Sequence, residues 1–295
     1  MSYSSAVTNK FPYEDWGFTK NLHLDTVQAT IDVSLYNQRL SILSYDLLSS
    51  RGIDDLSHLL DIMAVEYNLS KIWGKIPRRE IDLFLDQGFT AEAWIGQYFI
   101  NDDAVVCSKF FQNRDISRSI PINKKILQEV AAIPTADCSS LPRGYYFKIA
   151  QPSDLTAVSS LFKQVFTTYP YPVFDDNYLR SSLNHVIYGL VYSDKNRLAA
   201  VASAETDPHY KNAEMTDFAT LPEERGKGLA SVILQELELI LKNQNYHSVY
   251  TIARSTSHGM NTVFQRADYN YSGTLINNCN IAGGFEDMNV WCKLL

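Results

Sequence analysis

Six consecutive residues, Arg225-Gly226-Lys227-Gly228-Leu229-Ala230, have the composition to hold a phosphate. They follow an apolar stretch at 215–220 that reads as a strand. They lead into an amphipathic stretch at 229–241, with Leu229, Val232, Ile233, Leu237 and Ile240 on one helical face. The first N–H groups of a helix have no intrahelical partner, and the helix dipole is positive there. A tight glycine turn at that end lets an anion approach the bare amides with no Cβ in the way. Gly226 and Gly228 supply the turn, and Arg225 and Lys227 add positive charge. Two other phosphate motifs are excluded. The chain has no GxxxxGK(S/T), which argues against a nucleotide triphosphatase, and no GxGxxG after a first strand, which argues against a dinucleotide fold.

The elements that must position this loop occur in a rhythm that appears twice. From 145 onward the pattern predicts a strand at 145–149 and a helix from Pro152 with Leu155, Val158, Leu161, Phe162 and Val165 on one side. Strands at 186–192, 198–204 and 215–220 follow, then the helix at 229–241, a strand at 247–253, a short helix at 259–266, and strands at 269–276 and 288–293. The first half predicts strands at 27–35 and 39–45, a helix at 53–67, a strand at 71–76, a helix at 80–86, and strands at 89–100 and 105–111. Both halves read ββαβαββ, and Phe84-Leu85-Asp86-Gln87-Gly88-Phe89 sits where Phe264-Gln265-Arg266-Ala267-Asp268-Tyr269 sits in the second half. The pattern reads as a tandem duplication. Expected boundaries are a first domain at 1–114, a linker at 115–142 marked by Pro121, Pro134 and Pro142, and a second domain at 143–295. At the position of the glycine loop the first half has Leu47-Leu48-Ser49-Ser50-Arg51-Gly52-Ile53, with one glycine.

Composition narrows the partners. The 295 residues are 45% hydrophobic and 20% charged, which suits packed cores. The formal net charge of −7, with no long basic run, argues against nucleic acid and mildly favours a cationic small substrate. Cys107, Cys138, Cys279 and Cys292 are scattered, with no metal spacing, and are expected to be free buried thiols. The opening residues carry no signal pattern and no apolar run is long enough to span a membrane, so a cytoplasmic protein is expected.

The loop fits the Gln/Arg-x-x-Gly-x-Gly/Ala signature of the GNAT acetyltransferases, in the same strand–loop–helix setting. The order of elements from Gly144 to the C-terminus resembles that superfamily too. A closer likeness lies in longer motifs. Glu214-Met215-Thr216-Asp217-Phe218-Ala219-Thr220-Leu221-Pro222, Tyr169-Pro170-Tyr171-Pro172, Ala253-Arg254-Ser255 with Gly259-Met260-Asn261, and Ser272-Gly273-Thr274-Leu275-Ile276-Asn277-Asn278 resemble the β-lysine N6-acetyltransferase family. So do Glu286-Asp287-Met288-Asn289-Val290-Trp291 and, in the first half, Ser70-Lys71-Ile72-Trp73-Gly74-Lys75-Ile76-Pro77 and Gly88-Phe89-Thr90-Ala91-Glu92-Ala93. The resemblance implies an α+β fold of the α/β/α sandwich type. It would hold two tandem GNAT-like halves with mixed, mostly antiparallel sheets, the N-terminal half degenerate. It also implies acetyl-CoA as co-substrate, no metal, and acetylation of the side-chain amine of β-lysine to give a compatible solute for osmotic protection. Two alternatives stay open: a GNAT enzyme for another small amine such as a polyamine, and a non-catalytic CoA-binding regulatory module. A tandem-GNAT peptidyl transferase using aminoacyl-tRNA shares the layout, but the acidic balance argues against it.

The resemblance assigns roles. The loop 225–230 would hold the CoA pyrophosphate, and a backbone N–H of Phe218-Ala219-Thr220 would face the thioester carbonyl. A lysine-type amine has an ordinary pKa of about 10.4, so its proton needs an acceptor. Glu214 is the expected base, directly or through water, with Asp217 on the opposite face if the strand is regular and available for the substrate ammonium. The tyrosine that GNAT enzymes often use as general acid is replaced by Phe264. Asn261, one turn earlier, is expected to hold a water or touch the cofactor. Asp175, Asp176, Glu205 and Glu286 are acidic candidates for substrate recognition, and Arg254 is the cationic one. The first half is expected not to bind CoA. Covering the substrate pocket, pairing the sheet and forming a homodimer interface are the roles left for it.

Overall fold

The computed structural model describes residues 16–136 and 140–295; Cys138 and the opening residues, which carry no signal pattern, lie outside them. In the first half β1 (Gly17–His23), β2 (Val27–Ser34) and β3 (Arg39–Leu47) lead into α1 (Gly52–Glu66). Then come β4 (Lys71–Pro77), α2 (Ile81–Asp86), β5 (Thr90–Phe99) and β6 (Asp102–Phe110). A connecting helix, α3 (Ile120–Ala131), precedes β7 (Tyr145–Ile149), α4 (Leu155–Val165) and α5 (Asp176–Ser182). The order of the first half then recurs as β8 (Val186–Ser193), β9 (Leu198–Asp207), β10 (Asn212–Thr220), α6 (Leu229–Asn243), β11 (Ser248–Arg254), α7 (His258–Arg266), β12 (Asn270–Ile281) and β13 (Gly284–Leu294). The repeat is one strand longer than the apolar pattern indicated. β1 is an edge strand whose residues are mostly half-exposed, so it carries no alternation to read.

The two sheets expected from a duplication are joined edge to edge into a single sheet of thirteen strands, ordered β1-β2-β3-β4-β6-β5-β12-β13-β11-β10-β9-β8-β7. Each half contributes one parallel pair, β3–β4 and β10–β11; the other ladders among the described residues are antiparallel. In the second half α4 packs into the core on one face of the sheet and α6 into the core on the other, which completes a sandwich there. In the first half α1 and α2 both pack on one face. Its other face carries Lys71, Trp73 and Lys75, alternate residues of β4. Trp73 belongs to the same core as α4 and Tyr250 of the second half.

The seam between halves is polar and buried. β5 and β12 meet at Gly273 and Ala93. Fully buried Lys71 donates to Glu92 Oε2 and to the Ile276 carbonyl, both at 2.9 Å, while Glu92 Oε1 accepts from the Ile276 N–H at 2.6 Å. Ser108 Oγ also donates to Glu92. Burial lowers the Lys71 pKa to about 8, although the charge of Glu92 and its hydrogen bond oppose the shift. Arg114 donates to the carbonyls of Asn277 (2.8 Å) and Asn37 (2.9 Å) and to Ser70 Oγ (2.7 Å), and its guanidinium lies 3.4 Å over the Phe285 ring. These contacts give the motifs around Ser70 and Glu92 a structural reason: they hold one half to the other. Cys107 and Cys279 are buried free thiols, and Cys292 is half-buried. Among the described residues no helix is long and apolar enough to cross a membrane.

At Gly273 the backbone has φ 148°, and an added Cβ would lie 2.2 Å from the Glu92 carbonyl oxygen. Gly273→Ala is therefore expected to cost about 1–3 kcal/mol in backbone strain alone and to lower the melting temperature by several degrees in calorimetry. An unchanged melting temperature would show that the β5–β12 contact does not limit stability.

Candidate active site

The site begins where a ladder stops. β10 and β11 pair in parallel only from Asn212–Ser248 to Glu214–Tyr250, although both strands continue well beyond. The cause lies on the other side of β10, where its register with β9 shifts between Thr216 and Ala219. Asp217 sits in that bulge with φ 55°, a left-handed conformation uncommon outside glycine. The bulge bends β10 away from β11. A wedge opens between them, lined by backbone groups of 216–220 that have no partner strand on that side. Phe218-Ala219-Thr220, the stretch expected to face a thioester, is the wall of this wedge.

The glycine loop closes the wide end. Gly226 and Gly228 have φ 79° and 77°, and Gly228 is the N-cap of α6. A Cβ on Gly226 would meet nothing within 4 Å, so the conformation, not a lack of space, requires glycine there. The first turn of α6 holds no acidic residue, which leaves its amides open to an anion. Lys227 is tied to Glu224 Oε2 (2.6 Å) and the Tyr145 hydroxyl (2.8 Å), whereas exposed Arg225 makes only a 3.4 Å contact to the Thr220 carbonyl. Beside the loop, a cleft of ≈ 540 Å³ runs past Gly228 and Ser231 of α6 to Val263 and Arg266 of α7.

The first half keeps the opening but fills it. β3–β4 pairing stops at Ile42–Gly74, yet the Tyr45 hydroxyl donates to Glu80 at 2.6 Å and its ring packs on Phe84. The first turn of α1 carries Asp54 and Asp55, of which Asp55 accepts from Thr26 Oγ1. Two carboxylates at a helix N-terminus occupy the field that a phosphate would need.

At the narrow end of the wedge stand carboxylates. Glu214 lies directly opposite Glu205 on β9, so the two share a face of the sheet. Like charges at such a position repel unless a cation joins them. The cation comes from the other half of the chain. Lys75 Nζ is 4.0 Å from Glu214 Oε2 and donates to the Tyr250 hydroxyl at 2.9 Å. It lies 4.9 to 5.7 Å from the ring centroids of Tyr250, Tyr98 and Trp73. Burial works against the Lys75 charge, but Tyr98, Glu214 and Glu205 hold its pKa above the ordinary value. Burial pushes the Glu214 carboxyl up to about 7, Lys75 opposes that rise and Glu205 adds to it, while a hydrogen bond from Tyr250 also opposes it. Glu205 is open to water, yet surrounding protein still raises its pKa, as expected of a group lining a recess.

Several sequence expectations change here. Asp217 is on the same face as Glu214, not the opposite one, because the bulge breaks the alternation. It accepts from Tyr169 (2.7 Å) and Ser203 (2.7 Å), which anchors the Tyr169-Pro170-Tyr171-Pro172 segment over the recess. Arg254 and Glu286, both expected to meet substrate, meet each other in a two-pronged pair of 2.7 and 2.6 Å. Asp175 caps α5 by accepting from the N–H groups of Asn177 and Tyr178, and Asp176 accepts from Thr156 and Ser159. Asn261 is fully buried and engaged: it donates to the carbonyls of Arg254 and Ser257 and accepts from Asn289 and Trp291. That leaves it nothing for a water or a cofactor. Phe264 is buried against Phe218 and Tyr269, and no tyrosine hydroxyl takes its place on α7. Sequence reasoning missed Lys75. The signal was present in β4, where one face reads Ile72, Gly74, Ile76 and the other Lys71, Trp73, Lys75. Lysines on a strand face destined for burial mark a site or a seam.

Residues 155–269 match the acetyltransferase (GNAT) family. The chain is 36% identical over 267 residues to the beta-lysine N(6)-acetyltransferase of Methanococcus maripaludis, covering 90% of this chain and 96% of that one. The chain belongs to the β-lysine N6-acetyltransferase family of GNAT enzymes. It is 32% identical over 278 residues to N-acetyltransferase YodP of Bacillus subtilis, covering 94% of this chain and 99% of that protein. Against the beta-lysine N(6)-acetyltransferase of Methanosarcina mazei it is 40% identical over 158 residues, covering 53% of this chain and 58% of the relative. The first two alignments run through both halves, so the loopless half is part of the family's plan. The protein is an acetyl-CoA-dependent N-acetyltransferase, and its wedge and glycine loop are the features that suit the cofactor.

If Lys75 tunes Glu214 across the domain seam, Lys75→Met removes a charge that favours the carboxylate. The Glu214 pKa should then rise above about 7, so that less carboxylate is present at neutral pH. Carbon NMR of the Glu214 carboxyl across pH reads this directly. A midpoint that stays put or falls would show that the two groups are not coupled.

Proposed function

We propose that this enzyme transfers the acetyl group of acetyl-CoA to the side-chain amine of β-lysine, giving N6-acetyl-β-lysine, a compatible solute. The observation that carries the reading is Glu214: a carboxyl whose pKa burial pushes up to about 7, at the point where the β10–β11 ladder ends and the wedge begins. A base with that pKa is ionised in good part at neutral pH and still accepts a proton readily. The acceptor comes from the name of the Methanococcus maripaludis relative, aligned along 90% of the chain, and from that of the Methanosarcina mazei relative, aligned along 53%. The free thiols at Cys107 and Cys279 fit a reducing cytoplasm.

The chemistry follows from the placement. Amides of the loop 225–230 hold the pyrophosphate, and the pantetheine arm lies in the wedge against Phe218-Ala219-Thr220. Glu214 takes the proton from the acceptor ammonium, directly or through water. The neutral nitrogen attacks the thioester carbonyl, and an N–C bond forms while the oxygen gains negative charge. A backbone N–H of 218–220 donates to that oxygen. The nitrogen sheds its second proton to water, the C–S bond breaks and coenzyme A leaves as thiolate. Phe264 cannot protonate it. A thiol with an ordinary pKa of about 8.5 needs little help to leave, so the proton comes from solvent or from Glu214. Glu205 adds negative charge that favours a cationic acceptor, and Asp217 acts by positioning Tyr169 and its loop. The first half binds no coenzyme A.

Two measurements test this. Thiol release from acetyl-CoA, assayed with β-lysine, lysine and spermidine, should be fastest with β-lysine; turnover with spermidine and not β-lysine would overturn the acceptor. Glu214→Gln should lower kcat by about 10²–10⁴-fold, the usual worth of a general base, with acetyl-CoA affinity within about twofold. An unchanged kcat would move the base elsewhere.

A further inference from the structure

Three cations of the first half are buried near the seam: Arg39 at 2% exposure, Lys71 at 0% and Arg114 at 5%. Lys71 is answered by Glu92, and each nitrogen of Arg114 donates to a near, well-placed oxygen. Arg39 is different. Its Nη1 donates to the Asn278 carbonyl at 3.0 Å and contacts Cys279 Sγ at 3.6 Å. Its Nη2 has only the Tyr171 hydroxyl, at 3.4 Å, and its Nε has no hydrogen-bond partner. No carboxylate lies within 4.0 Å of it among the described residues; Asp32 acts on it only from farther away. A buried guanidinium left this way is costly, because five donors have lost water and gained little.

The surroundings indicate what would complete it. Arg39 lies 4.7 Å over the Trp73 ring, and Lys75 lies near the same ring, 5.7 Å from its centroid. Tyr171, the one group that Nη2 reaches, is 44% exposed and feels the charges of Glu205 and Glu214 as well as that of Arg39. Its segment is held on the near side: Tyr169 donates to Asp217, and Asn37 Nδ2 donates to the Pro170 carbonyl at 3.3 Å. The recess therefore has two poles. Glu205 and Glu214, with Lys75 4.0 Å from Glu214, form a negative one, Arg39 forms a positive one, and the Trp73 ring lies beside both Arg39 and Lys75. A polyamine would place a second cation at the positive pole. An amino acid carrying an amine on its side chain would place a carboxylate there.

We propose that Arg39, supplied by the first half, binds the carboxylate of the acceptor, displacing the Tyr171 hydroxyl from its Nη2 and Nε edge, and so selects amino-acid acceptors over polyamines. This rests on the reading of the acceptor as β-lysine and assigns the residue that recognises its acid end. The first half then contributes one pole of the substrate site while the second half contributes the cofactor site. A guanidinium is suited to the task, since its fork matches the two oxygens of a carboxylate.

The test uses the full-length enzyme loaded with coenzyme A and two ligands, β-lysine and β-lysinamide, titrated by calorimetry and then compared as acceptors. A hydrogen-bonded charge pair is worth about 1.5–3 kcal/mol, or about 10–150-fold in affinity. The wild type should prefer β-lysine over its amide by that factor. Arg39→Gln should collapse the preference to within about threefold, and Arg39→Lys should retain part of it. Coenzyme A affinity and circular dichroism show that each variant is folded. A preference that survives in Arg39→Gln, or a wild type that binds acid and amide equally, overturns the assignment. If the wild type neither binds nor acetylates β-lysine but prefers another amino acid to its amide, and Arg39→Gln abolishes that preference, the acceptor assignment fails while the role of Arg39 stands. If only carboxylate-free amines bind, both fall.

Discussion

The early end of the β10–β11 ladder is the constraint on which the rest of the site depends. A parallel pair that continued past Glu214 and Tyr250 would satisfy its own backbone and leave no room for a cofactor arm. The bulge at Asp217 prevents that. It turns β10, frees amides on the wedge side, and rotates the Asp217 carboxylate onto the face of Glu214, where it can hold Tyr169. One left-handed residue thus opens the wedge between β10 and β11 and fixes the Tyr169 segment beside Glu214.

The wedge occurs twice, and its two copies show how a duplicated fold divides labour. The second copy ends in a glycine turn and an acid-free helix start, and it stays open. The first ends in Asp54 and Asp55, and Tyr45 and Phe84 close it from inside. With its opening filled, the first half keeps the matching strand face. β3 and β4 carry Arg39, Trp73 and Lys75 where β10 and β11 carry Asn212, Tyr250 and Ile252, by the register of the two parallel pairs. That face points at the recess of the other half. The head-to-head joining of β5 to β12 brings this about, since it places both open faces on the same side of one sheet.

Charge ties these parts together. Lys71 and Glu92 lock the seam, and Lys75 crosses it to stabilise two carboxylates that would otherwise repel. The seam therefore sets the electrostatics of the Glu214 carboxyl as well as the stability of the fold. Arg254 and Glu286 show the opposite outcome: two charges suited to a ligand in isolation are spent on each other.

The sequence by itself determined the glycine turn at the start of α6, the family, the order of nearly all the strands and helices, and the lack of such a turn in the first half. Those properties are local: a glycine turn, an apolar period and a run of acids act through neighbours in the chain. The functions of Asn261, Asp217, Asp175, Arg254 and Glu286 were not legible, because each depends on a partner far along the chain or on a break in strand alternation. Lys75 and Arg39 were hidden for the same reason. They look like ordinary charges in ordinary strands until the sheet is assembled. Only the tertiary structure decided that the half without a cofactor loop would supply a cation at 4.0 Å from the carboxylate of the other half, because only the pairing of β5 with β12 sets which faces share a side.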